Sequence, residues 1–87
     1  MKIKGEYLLR EVVGETILIP VGKTALEYNG MIIINETGAF IWKALMDGMN
    51  EQELLNKMVE EFDVKLDEAS ADLNEFLLYL KNVGLVE

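Results

Sequence analysis

The sequence predicts an α+β fold: a three-stranded antiparallel sheet followed by three α-helices, in a single domain spanning 1–87. Three observations predict it. Short β-rich runs separated by turn residues fill the first third of the chain. The apolar period then changes from two to about 3.6 at Asn35. Helix-start and helix-stop signals divide the remainder into three segments. With 87 residues, 51% of them hydrophobic and 28% charged, the chain has a globular composition. A domain of this size withdraws somewhat more than about 60% of its unfolded surface from water.

"YLLREVV" (Tyr7–Val13) and "TILIPV" (Thr16–Val21) flank Gly14-Glu15 and read as a hairpin. Pro20 lacks a backbone N–H, so it belongs at the end of its strand or where the missing donor costs nothing. Gly22-Lys23 makes the next break. "ALEY" (Ala25–Tyr28) fits a short strand or a loop equally well. Asn29-Gly30 is a turn signal that introduces the third strand, "MIII" (Met31–Ile34).

Asn35 is a good N-cap for the first helix, whose core face carries Gly38, Ile41, Trp42 and Leu45. Asp47-Gly48 stops it. Asn50 with Glu53 has the spacing of a capping box for the second helix, where Leu54, Leu55, Met58, Val59 and Phe62 form the apolar stripe. Asp67 is the expected N-cap of the third helix, and Glu68 and Asp72 follow near its positive end. Leu73, Phe76, Leu77 and Leu80 face the core there, and Gly84 ends the helix.

Met31-Ile32-Ile33-Ile34 poses a packing problem. Alternation sends Ile32 and Ile34 to one face and Met31 and Ile33 to the other. One pair enters the core; the other needs separate cover, and an exposed apolar edge invites association.

Composition excludes several classes of function. The chain has no cysteine and no histidine. Disulfides, thiol nucleophiles and iron–sulfur ligation are thereby ruled out, along with the commonest general base and transition-metal ligand. The acids around Glu60, Glu61 and Asp63 have no orienting partner in the sequence and read as a solvated helix face. "DVKLDEASADLNE" lacks the glycine and spacing of a calcium loop, and no glycine-rich phosphate loop is present. No cofactor and no catalytic residue are expected. Sixteen acidic against eight basic residues give a net charge of −8, which repels nucleic acid and anionic membranes. A winged-helix DNA binder would fit the element order, but its third helix would present Glu68, Asp72 and Glu75 to phosphate. A carrier protein would need an Asp-Ser-Leu setting, whereas Ser70 sits in "EASAD". No apolar run approaches the roughly 20 residues of a membrane span, nothing resembles a signal peptide, and the expected location is the cytoplasm.

Three stretches, "INETGAFIWKALMDG", "NEQELLNKMVEEFDV" and "DLNEFLLYLKNVGLV", closely resemble the PqqD-like family, named after pyrroloquinoline quinone biosynthesis protein D. The matching features are Asn35-Glu36-Thr37-Gly38-Ala39, Ile41-Trp42, Leu45, Asp47-Gly48, Phe62-Asp63, Asp72, Phe76-Leu77, Leu80 and Gly84-Leu85. They cover nearly the whole chain in order. Asn35 stands where PqqD itself usually has aspartate, which points to a relative serving another pathway.

The resemblance implies a winged-helix-like, non-catalytic peptide chaperone. Such a protein binds the leader of a ribosomally made precursor peptide and presents it to a modifying enzyme, often a radical S-adenosylmethionine (SAM) enzyme. The leader would add as a strand beside Met31, Ile32, Ile33 and Ile34, with side chains in a groove against the third helix. There Asp72, Phe76, Tyr79 and Val83 form one stripe. Phe76 and Val83 would hold apolar leader side chains, Tyr79 would make an aromatic wall, and Asp72 would attract a basic residue. The rival expectation is a homodimer paired through the same edge; an acidic inhibitor of a basic protein rests on charge alone.

Overall fold

The computed structural model describes residues 3–27 and 30–86. Its elements run β1 (Tyr7–Val12), β2 (Glu15–Pro20), α1 (Lys23–Glu27), β3 (Ile32–Ile34), α2 (Glu36–Met46), α3 (Glu51–Phe62) and α4 (Leu66–Asn82). The architecture is α+β, with a three-stranded antiparallel sheet in the order β1-β2-β3. A short helix that the sequence left open as strand or loop, α1, lies between β2 and β3. It has five residues and buries none of them. The end of that reading, Tyr28, and the first residue of the expected Asn29-Gly30 turn lie outside the described residues.

The hairpin register pairs Leu9 with Leu18 and Val12 with Glu15, so the connecting residues are Val13-Gly14, not Gly14-Glu15. Core pairing decides this: moving the turn by one residue would turn the Leu18 side of β2 outward. Both loop residues have positive φ, 50° at Val13 and 80° at Gly14, as a type I′ hairpin turn requires. Pro20 closes β2 opposite Tyr7, at the strand's end.

Local signals fix the longer helices. Asn35 Oδ1 accepts a 2.8 Å hydrogen bond from the Gly38 N–H and caps α2. The capping box at α3 is complete: the Glu53 N–H donates to Asn50 Oδ1 and the Asn50 N–H donates to Glu53 Oε1. Lys65, not Asp67, is the N-cap of α4, and it makes no side-chain cap bond. Asp67 lies inside the first turn, where its charge still meets the positive end of the helix. Both α2 and α4 end in Schellman motifs. In α2 the Met49 N–H donates to the Ala44 carbonyl and the Gly48 N–H to that of Leu45. In α4 the N–H groups of Leu85 and Gly84 donate to the carbonyls of Leu80 and Lys81.

One core cluster joins the sheet to α2 and α4 through Tyr7, Leu18, Ile32, Ile34, Trp42, Leu80 and Leu85. Tyr7 and Trp42 meet edge to face, 5.6 Å between centroids. A second cluster joins the three longer helices through Ile41, Ala44, Leu54, Met58, Ala69 and Leu73. The helices therefore cover the sheet face that carries Leu18, Ile32 and Ile34. On the opposite face Ile33 is exposed, while Ile17 beside it is buried.

Candidate functional site

β3 hydrogen-bonds to β2 on one side and is the last strand of the sheet, so its other edge is unpaired among the described residues. Its side chains divide as alternation demands. Ile32 and Ile34 are 4% and 6% exposed and belong to the core, whereas Ile33 is 64% exposed and the preceding Met31 66%. A guest strand at this edge would meet Ile32 and Ile34 through backbone alone and could touch the side chains of Met31 and Ile33.

Next to the C-terminal end of β3 the chain enters α2, and a hollow of about 300 Å3 opens between that helix start and α4. Asn35, Thr37 and Gly38 line one side; Asp72, Glu75, Phe76 and Tyr79 line the other. Phe76 is half-buried and stacks on the exposed Tyr79, centroids 6.5 Å apart and planes 29° from parallel. Gly38 is what lets Phe76 lie so close. A Cβ added at position 38 would stand 2.8 Å from Phe76 Cε1 and 3.1 Å from Asn35 Oδ1.

The sequence-predicted stripe is thus divided. Asp72, Phe76 and Tyr79 come together in the hollow, while Val83, the C-cap of α4, packs against the sheet-side core. Thr37 and Glu75 line the hollow as well, although the stripe did not include them. The spacing of Asp72, Glu75 and Tyr79, i, i+3 and i+7, would have placed Glu75 on this flank. Thr37 has no comparable signal, because only the approach of α2 to α4 brings it there.

Chemically the hollow offers an aromatic wall, two carboxylates and an adjacent edge of backbone hydrogen-bonding groups. That combination suits an extended peptide with an apolar side chain and a basic one. Among the described residues no cluster of three or more acidic side chains is arranged to hold a metal ion. Among them, too, no helix is long and apolar enough to cross a membrane.

The family model described as coenzyme PQQ synthesis protein D (PqqD) matches residues 15–86. The chain belongs to the PqqD family. The match takes in β2, β3, the hollow and all three longer helices, so the site described above lies wholly within the PqqD-family region. No curated protein sequence matches the chain. Among solved structures, TbiB1 in complex with the TbiA(beta) leader peptide is similar over 100% of this chain and 95% of TbiB1, with a TM-score of 0.78 and 24% sequence identity. At that identity the likeness establishes that this PqqD-family chain and TbiB1 share a fold.

Proposed function

We propose that this protein is a non-catalytic recognition module for a ribosomally made precursor peptide. The leader segment adds as a fourth strand along the free edge of β3, and its inward side chains enter the hollow against α4. The protein then presents the leader to a modifying enzyme, such as a radical SAM enzyme. The observation that carries this reading is the juxtaposition at β3. An edge with exposed Met31 and Ile33 adjoins a hollow walled by Phe76 and Tyr79 and flanked by Asp72 and Glu75. Membership in the PqqD family supports it, as does a shared fold with TbiB1, which has been solved with a leader peptide bound.

Strand addition supplies affinity through main-chain hydrogen bonds, which are indifferent to sequence; selectivity comes from the side-chain pockets. Asp72 favours a basic leader residue, the Phe76–Tyr79 pair an aromatic or branched aliphatic one.

The test is an amide NMR titration with a synthetic leader taken from a precursor gene beside the protein's own. Saturable shifts at Met31–Ile34 and along Asp72–Val83 are expected. A folded spectrum that does not change at high micromolar leader, in a sample whose mass is that of a dimer, would replace this reading with self-pairing through the same edge.

A further inference from the structure

We infer that the tip of the β1–β2 hairpin is a second docking surface, for a protein partner whose contacting face is apolar with lysine or arginine at its margin. Val13 is the starting point. It holds φ at 50°, in the left-handed region, and is 98% exposed. A β-branched residue there is an outlier, because its Cβ crowds the backbone. Asparagine, aspartate or glycine would make the same turn without strain. Nothing in the fold uses the Val13 side chain, and strain that the fold does not need is characteristic of functional surfaces.

Val13 is not isolated. With Val12, Ile17, Met31 and Ile33 it lines a hollow of about 520 Å3 on the sheet face turned away from the helices. Single exposed apolar residues need no explanation, but a contiguous apolar patch marks an interaction site. The patch passes through Glu15 and Ile33 into an adjoining hollow, whose lining includes Glu11, Glu36 and Glu61 with Lys43 and Phe40. Arg10, opposite Ile17, adds a cation to the outer sheet face.

This charge pattern selects the occupant. A second copy docking tip to tip would set the same carboxylates against each other on a chain already at −8. A basic-rimmed partner is attracted instead. The two surfaces meet at the exposed Met31 and Ile33 side chains, while Val12, Val13 and Ile17 belong to the hairpin surface alone. Only its assignment to the modifying enzyme rests on the leader-binding reading, in which a presenting protein needs one surface for the leader and one for the enzyme.

The probe is the peptide acetyl-Lys-Leu-Val-Leu-Lys-amide, titrated into the full chain without leader and followed by amide NMR. The control is its counterpart with glutamate at both ends. Shifts concentrated at Glu11–Glu15, Met31 and Ile33 are expected with the lysine peptide and not with the glutamate one. V13N, which suits the left-handed turn, should keep the fold and weaken probe binding at least fivefold while leaving leader affinity unchanged. E15K should weaken the probe similarly. An unchanged spectrum at millimolar probe, equal shifts with the glutamate peptide, shifts spread over α3 and α4, or wild-type binding by V13N would each overturn the proposal. Tip binding without leader binding would keep this surface and remove the leader reading.

Discussion

Gly38 shows how one missing side chain shapes the hollow. A methyl group at this position would meet Phe76 at 2.8 Å and the capping oxygen of Asn35 at 3.1 Å. G38A must therefore push the Phe76 ring toward the groove and disturb the N-cap of α2. Overpacking of this kind destabilises by about 1–3 kcal/mol. The urea midpoint should fall with an unchanged slope, and leader affinity should fall with it. N35A isolates the cap: losing the bond to the Gly38 N–H should cost about 1 kcal/mol. Val13 sets the opposite expectation. Relieving a left-handed β-branched residue is worth about 1 kcal/mol, so V13N should melt roughly 4–8 °C higher. A lower melting temperature for V13N would show that the turn is not strained.

At the scale of elements, β3 separates stability from binding along three residues. I32A removes part of a buried side chain that packs with Leu18, Trp42 and Leu80. It should cost about 2–5 kcal/mol in denaturant unfolding, the range for such truncations. I33K places a charge on a side chain that already faces solvent. Its effect on stability should stay within about 0.5 kcal/mol, while leader binding weakens in calorimetry. If I33K unfolded the domain and I32A did not, the faces of β3 would be reversed. Alternation in "MIII" makes this division legible in the sequence, because a strand's period of two admits only two assignments. The long helices were legible for a similar reason: Asn35, Asn50-Glu53, Asp47-Gly48 and Gly84 are local capping chemistry that acts over a few residues. The helix α1 was not legible. Five residues are little more than one turn, too few to show a period, and none is buried to supply a pattern. The hairpin turn was misplaced because Val13 reads as a strand residue, and only the pairing of Leu9 with Leu18 forces it into the loop. In the candidate site, helical spacing brought Asp72, Phe76 and Tyr79 together. Thr37 joined them only through the tertiary approach of α2 to α4.

For the whole molecule, the net charge of −8 and an open edge strand act together. An open three-stranded sheet gains from a fourth strand beside β3, and a leader and a second copy of this chain compete for that place. The acidity weights that competition. Two copies at −8 repel, whereas a leader with a basic residue near Asp72 and Glu75 is drawn in. Screening by salt removes the bias, since the Debye length shrinks from about 10 Å at 0.1 M to about 3 Å at 1 M. Raising salt should therefore weaken leader binding and favour the self-paired dimer. Leader at a hundred times its dissociation constant should add about 2.7 kcal/mol to the unfolding free energy of the monomer. Sedimentation equilibrium at low and high salt, with and without leader, checks both effects. A monomer-plus-leader mass at low salt, shifting toward dimer when salt is raised and leader withdrawn, is the expected outcome. A dimer that persists with one leader bound per chain would mean that self-association uses a surface other than the β3 edge.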